Sequence, residues 1–206
     1  MTRSRLSSLP GEVLPGIGHN NGPSLEPGKG FRKVAWAKAK EAILPRPPLE
    51  VLKRRVRRAR QLGLAYPAYA SILAGSGRDV MAFLFTSHAL GLRLARAIEM
   101  DERDAARLRE ITGVKRLLMG PQGADAGALA EARGAERRIE FDVAKAAPGL
   151  EAPLPDGRAA VQALLTPLKL PADAVVMVGD RAAERDWAEA ARLGRFLSRQ
   201  AYFSPS

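Results

Sequence analysis

Cysteine is absent from this chain of 206 residues, and aromatic residues make up only 5% of it. The absence of cysteine excludes disulfides and thiolate metal sites, and it fits a reducing compartment. The two histidines are far apart in sequence, which argues against a zinc site. The scarcity of aromatic side chains argues against a surface that stacks the bases of single-stranded nucleic acid. We therefore expect no metal and no cofactor.

The sequence also lacks an apolar run long enough to cross a membrane. The longest run, residues 80–94, is interrupted by Thr86, Ser87, His88 and Arg93. The first fifteen residues hold two arginines but no continuous apolar segment, so we expect no secretory signal. Apolar residues nevertheless make up 46% of the chain, which is enough for a folded core. These features predict a cytoplasmic protein that does not bind a membrane.

Acidic residues are scarce in the first third of the chain. Residues 1–66 contain fourteen lysines and arginines but four acidic residues, whereas residues 67–206 contain nineteen against eighteen. A local excess of positive charge attracts polyanions. This asymmetry predicts a polyanionic partner, either nucleic acid or an acidic protein.

The clearest local prediction is a basic helix over residues 49–62. Two prolines precede it, Glu50 lies in its first turn, and Gly63 is placed to end it. Apolar residues recur at helical spacing on one face, and cations fill the remainder. The predicted nucleic-acid contacts come from this helix and from a basic segment before it: Lys53, Arg54, Arg55, Arg57, Arg58, Arg60, Arg32 and Lys33.

The pattern divides the chain into three parts. Residues 1–30 are rich in proline and glycine and predict a flexible arm. Residues 31–112 predict a basic helical region, including a helix over 31–44 and a core helix over 80–100 that is apolar almost all round. The core helix lacks the exposed polar face that a recognition helix needs to contact base edges, so contact with the phosphate backbone is the favoured mode of binding.

Residues 113–206 alternate strands with helices. Strands are predicted over 114–119, 137–143 and 174–178, and helices over 125–133, 157–165 and 182–193. This order favours a small parallel sheet flanked by helices. The predicted fold is therefore α/β, with a basic helical N-terminal half packed on, or linked to, a three-stranded unit.

Two strand-end loops are candidate anion or ligand sites, because ligands of parallel sheets bind beyond the carboxyl ends of strands. The first contains Gly120, Gln122 and Gly123, and the second contains Gly179, Asp180 and Arg181. Neither has the spacing of a P-loop or of a dinucleotide fingerprint. The competing interpretation is that these residues simply close turns and cap helices.

The second loop also carries a family resemblance. Residues 176–195, an apolar strand ending in Gly179-Asp180 followed by an alanine-rich helix, resemble the last motif of haloacid dehalogenase-like phosphatases. The resemblance implies a related α/β topology and a role for the acid in holding magnesium. That family's nucleophile motif, Asp-x-Asp-x-Thr after the first strand, is absent from the sequence, and Met119, Gly120 and Pro121 stand where we looked for it. Without it no phosphoaspartate can form.

The sequence therefore favours a non-catalytic accessory or regulatory protein that binds nucleic acid through its basic helix. It assigns no catalytic residue. Two alternatives remain open: a small α/β enzyme or phosphate-binding protein that uses the loops at Gly120 and Asp180, and an adaptor that docks an acidic protein.

Overall fold

The computed structural model describes residues 47–92 and 100–204, without the side chains of residues 132–137. The predicted arm, the predicted helix over 31–44, Arg32 and Lys33 lie outside the described residues. In the described part of the chain, no helix is both long and apolar enough to span a membrane.

Five parallel strands form one sheet in the order β3-β2-β1-β4-β5. The strands are β1 (Ala82–Thr86), β2 (Lys115–Gly120), β3 (Val143–Ala146), β4 (Val175–Gly179) and β5 (Arg195–Ser198). The α/β prediction is confirmed, and the fold is Rossmann-like, with five strands instead of the predicted three.

Seven α-helices surround the sheet within the described residues. They are α1 (Leu49–Gln61), α2 (Tyr66–Ser76), α3 (Glu102–Glu110), α4 (Ala126–Arg137), α5 (Leu154–Leu165), α6 (Ala182–Ala190) and α7 (Arg199–Phe203). Helix α1 ends as predicted, with Gly63 in the left-handed conformation at φ +64°.

Strand β1 replaces the predicted core helix over residues 80–100, and that prediction is wrong. All five residues of β1 are buried, because the strand lies between β2 and β4 and both faces of the sheet are covered. A central parallel strand is a continuous apolar run, which periodicity alone does not distinguish from a buried helix. The sheet thus joins a strand from the predicted helical region to four strands of the predicted α/β unit.

Alternate residues of the strands supply two separate cores. Phe83 and Phe85 pack on one face with Tyr202 and residues of α1, α2 and α3. Ala82 and Leu84 face the opposite core, with residues of α5 and α6, including Trp187. This alternation follows from the period of two along a strand. Helices cover both faces, so a ligand can approach the sheet only along its edges.

Candidate functional site at the carboxyl edge of the sheet

The carboxyl ends of β1, β2 and β4 meet at one edge. Thr86 pairs with Met119, and Phe85 pairs with Val178. The amide of Ser87 donates to the carbonyl of Met119 at 2.8 Å, which continues the β1–β2 pairing one residue beyond β1. From β1 the chain builds outward through β2 and β3, then crosses to β4 on the other side. The gap between β1 and β4 is therefore the topological switch point, where such sheets bind ligands.

A histidine and a buried glutamate meet at this switch point. His88 follows β1, and its Nδ1 lies 2.7 Å from Oε1 of Glu184 in α6. The Glu184 side chain is 2% exposed, and that of His88 is 33% exposed. Oε2 of Glu184 accepts the backbone N–H groups of Asp180 (2.7 Å) and Arg181 (3.0 Å). The carboxylate thus fixes the loop after β4 and the imidazole after β1 at the same time.

Gly179 makes this arrangement possible. A Cβ atom at this position would lie 2.8 Å from Oε2 of Glu184 and 2.6 Å from Cε2 of Phe196. Real Cβ atoms do not approach other atoms so closely, so only glycine lets the carboxylate pack against the end of β4. The predicted loop residues Asp180 and Arg181 follow directly, and both are exposed.

The loop after β2 forms the other side of the edge. A Cβ atom at Gly120 would lie 2.8 Å from Cβ of Ala126, so glycine allows α4 to begin close to the strand. Gly123 adopts φ +71°, a conformation that favours glycine. Gly149 lies in the loop after β3, and a Cβ atom there would lie 3.1 Å from the side-chain amide of Gln122. The loops after β2 and β3 are therefore in contact.

Several hydrogen bonds hold the turn that carries His88 in place. The Arg199 guanidinium donates to the carbonyl of Ala89 and to the carboxylate of Asp104 in α3. The Thr86 hydroxyl accepts the N–H of Ala89 at 3.2 Å, and the N–H of Leu92 donates to the carbonyl of Ser87 at 2.7 Å. These bonds position His88 before any ligand arrives.

The donor set at this edge does not fit a divalent cation. Magnesium prefers several oxygen ligands, usually from carboxylates. The end of β1, where the resembling family has its two aspartates, carries Thr86, Ser87 and His88. The Glu184 carboxylate already forms hydrogen bonds with two backbone amides and with the imidazole of His88. Asp180 is left as the one exposed carboxylate of its loop. No group of three acidic or histidine side chains suited to a metal occurs among the described residues.

The sequence analysis missed His88 and Glu184 as site residues. His88 was assigned to a buried helix, and the nucleophile motif was sought after β2, at Met119-Gly120-Pro121. Within the described residues the first strand is β1, so the matching positions are Thr86 to His88. The available signal was an apolar run that stops abruptly at three polar residues, which is typical of a strand end.

A cleft of about 930 Å³ opens at the other end of the strands, beside β2 and β3. Its lining mixes cations and acids: Arg109, Arg116, Arg138, Glu131, Glu140 and Asp142. Burial alone would raise the pKa of Asp142, but hydrogen bonds from Lys115 Nζ (2.7 Å) and the amide of Arg116 (2.9 Å) hold that pKa below its usual value. Lys115 and the backbone of Arg116 therefore compensate the Asp142 charge at this cleft.

The basic face of α1 is partly committed to internal contacts. Arg58 donates to Asp79 Oδ2 (2.9 Å), to the carbonyl of Val80 (2.8 Å) and to the carbonyl of Gly113 (3.3 Å), and its side chain is 20% exposed. Lys53 pairs with Glu50 at 3.0 Å. The remaining predicted nucleic-acid contacts on this helix are exposed or half-buried: Arg54, Arg55, Arg57 and Arg60.

We expect Arg58→Ala to lower the free energy of unfolding by about 2 kcal/mol, because it removes charge-assisted bonds that join α1 to the start of β1. The exposed neighbour provides the control, since Arg57→Ala should change stability by less than about 0.5 kcal/mol. Urea unfolding of both variants checks this, and equal effects would contradict it.

Three of the solved structures that are similar to part of this chain illustrate the match. One is the cobalt-bound deoxy-D-mannose-octulosonate 8-phosphate phosphatase of Haemophilus influenzae, at 12% identity and a TM-score of 0.43, covering 58% of this chain and 68% of that one. Another is the core domain of a putative phosphoglycolate phosphatase of Streptococcus pneumoniae, at 19% identity and a TM-score of 0.39, covering 59% and 80%. The third is a hypothetical protein of Xanthomonas campestris, at 19% identity and a TM-score of 0.39, covering 63% and 68%.

No family model matches this chain, and no curated protein matches its sequence. The similar structures are consistent with the weak resemblance to haloacid dehalogenase-like proteins, and at these TM-scores they carry no argument about chemistry.

The prediction of a non-catalytic, regulatory nucleic-acid-binding protein is wrong. Two of the similar structures are described as phosphatases, and none of the three is described as a nucleic-acid-binding protein. The segment that was expected to form a core helix after the basic helix contains the central strand of a parallel sheet. The acidic protein partner stays a prediction.

Proposed function

We propose that this chain binds a phosphate-bearing small molecule at the carboxyl edge of its sheet, between β1 and β4. One observation carries the proposal: the switch point holds an imidazole fixed by a buried carboxylate, His88 and Glu184, flanked by the glycine loops after β2 and β4. Parallel sheets of this strand order bind their ligands at this position.

The electrostatics of the edge support an anionic ligand. Helices α4 and α6 both begin there, and the N-terminal ends of helices favour negative charge. The Glu184 carboxylate is buried and forms hydrogen bonds with His88 and with two backbone amides. These partners offset its negative charge, so it repels an anionic ligand less than an exposed carboxylate would. Arg181 adds an exposed cation beside the loop. The exposed carboxylate of Asp180 in the same loop would repel an anionic ligand, and replacing it tests this repulsion.

The proposed function does not include a phosphoaspartate. Thr86, Ser87 and His88 occupy the end of β1, and none of them can form an acyl phosphate. Phosphate binding is therefore separate from the chemistry of the resembling family.

Titration calorimetry with inorganic phosphate and with AMP, in the presence of EDTA, tests the proposal. We expect Gln122→Glu to weaken binding about tenfold, or ~1.4 kcal/mol, because it places a negative charge in the loop after β2. Gln162→Glu makes the same charge change on the exposed surface of α5 and should leave affinity unchanged. Asp180→Asn should strengthen binding, because it removes a repulsive charge.

Three results would contradict the proposal. These are no binding of either probe, equal weakening by Gln122→Glu and Gln162→Glu, and loss of binding in Asp180→Asn. The last would indicate that the Asp180 carboxylate supports binding of the ligand instead of opposing it.

A further inference from the structure

The contact between His88 and Glu184 fixes where the imidazole carries its proton. Oε2 of Glu184 acts as a hydrogen-bond acceptor for two backbone N–H groups. An ionised carboxylate only accepts hydrogen bonds, so the hydrogen in the 2.7 Å contact between Nδ1 and Oε1 belongs to the histidine. In the neutral ring the other nitrogen, Nε2, is then left with a lone pair.

Nε2 is also the nitrogen that remains for a ligand. It lies on the other edge of the ring from Nδ1, away from the carboxylate. A third of the His88 side chain is exposed although Glu184 is buried, so the ring extends from the protein interior toward the surface at the switch point.

We propose that His88 is the acid–base residue of the ligand site, with Glu184 as the positioning residue that holds its proton on Nδ1. This inference rests on the proposed function, because the ligand that His88 touches is the one bound between β1 and β4. The same pairing of a buried carboxylate with an imidazole orients the base in many hydrolases.

The proton transfer balances without a co-reactant. Nε2 takes a proton from a hydroxyl of the ligand or from a protonated phosphate oxygen, so an O–H bond breaks and an N–H bond forms. The imidazolium keeps its Nδ1–H on Glu184, whose negative charge offsets the new positive charge. The proton returns to the oxygen when the ligand leaves. The ligand class is therefore a phosphate compound with an exchangeable proton near the phosphorus.

Other charged groups near the turn have different partners or positions. Arg199 contacts the carbonyl of Ala89 and the carboxylate of Asp104. Asp180 and Arg181 contribute their backbone amides to Glu184, and their side chains are exposed. Among the described residues, the Glu184 carboxylate is the ionisable group that forms a hydrogen bond with the His88 ring.

The protonation state of the histidine nitrogens, measured by ¹⁵N NMR on the full chain, tests the inference. The chain has two histidines, His19 and His88, so the His88→Asn spectrum assigns both sets of signals. We expect a protonated Nδ1 and an unprotonated Nε2 in the neutral ring of His88. In Glu184→Gln, the amide oxygen can accept both backbone N–H groups, and its NH₂ group must then donate to Nδ1. The proton should then move to Nε2, because the partner of Nδ1 has become a donor.

Inorganic phosphate supplies the second readout. It should shift the Nε2 resonance of His88 in the wild type. His88→Asn keeps a donor where Nδ1 lies but lacks Nε2, and we expect it to bind phosphate about tenfold more weakly than the wild type.

A proton on Nε2 in the neutral wild-type ring would overturn the inference. So would an Nε2 resonance that stays unmoved while phosphate shifts the amides of Gly120 and Asp180. If phosphate shifts none of these amides, the proposed ligand class fails, and the position of the proton alone decides whether Glu184 poises His88 as an acid–base group.

Discussion

Replacing Gly157 by alanine is expected to lower the free energy of unfolding by about 3 kcal/mol. A Cβ atom at Gly157 would lie 2.0 Å from Cδ1 and 2.3 Å from Nε1 of Trp187. Trp187 is 2% exposed and belongs to the core between the sheet and helices α5 and α6. The indole has no room to retreat, because protein interiors are close-packed and adding even one methyl group forces strain.

Urea unfolding measures this effect, and Gly75 provides a matched control. Gly75 lies in α2, and a Cβ atom there would meet nothing within 4 Å. We expect Gly75→Ala to stabilise the protein by about 0.5 kcal/mol, since alanine is the better helix former. Adding Trp187→Leu to Gly157→Ala should recover part of the loss, a non-additivity expected of residues in contact. Similar stabilities for the two single alanine variants would contradict the packing of α5 on α6.

Replacing Glu184 by alanine is expected to cost about 3 kcal/mol of stability. The change removes the carboxylate that accepts the amides of Asp180 and Arg181, which then lie beside a cavity without their partner. Losing the acceptor of a helix-capping interaction costs about 1 kcal/mol, and leaving buried donors unsatisfied costs more. His88 loses its partner as well.

Two variants make this measurement specific. Glu189 lies in the same helix and is exposed, so Glu189→Ala should change stability by less than about 0.5 kcal/mol. Glu184→Gln retains an acceptor for both amides and should lose less than half as much as Glu184→Ala. Thermal or urea unfolding measures the stability of each variant. An equal loss of stability in Glu184→Ala and Glu189→Ala would show that Glu184 does not stabilise the carboxyl edge of the sheet.

Elements with a strong local signal were predictable from the sequence. Helix α1 combines preceding prolines, helical spacing and a terminal glycine, and it was predicted within a residue. Strands β2 and β4 were predictable because both are apolar runs bounded by turn residues. Each predicted strand begins and ends one residue before the observed strand. The helices α5 and α6 were also predicted in their correct places.

Other elements depend on tertiary context. Strand β1 has an apolar sequence that suits either a buried helix or a central strand, and its pairing with β2 and β4 decides the outcome. Strand β3 was predicted over 137–143, but α4 extends to Arg137 and the strand begins at Val143. Strand β5 was missed, since four residues at a sheet edge are too few to show alternation.

The site was predictable only in part, for the same reason. The loops at Gly120 and Asp180 follow predicted strands, so their meeting at one edge could be anticipated from parallel topology. His88 could not be placed beside them while β1 was taken for a helix. Its partner Glu184 lies 96 residues further along the chain, and only the order of the strands brings the two together.

Mapping backbone amide shifts during a titration with inorganic phosphate tests the central claim most directly. We predict that the shifted amides cluster at the ends of β1, β2 and β4, in residues 86–88, 120–123 and 179–181. Shifts confined to the cleft lined by Arg109, Arg116 and Arg138, or to the basic face of α1, would place the anion elsewhere and contradict the account.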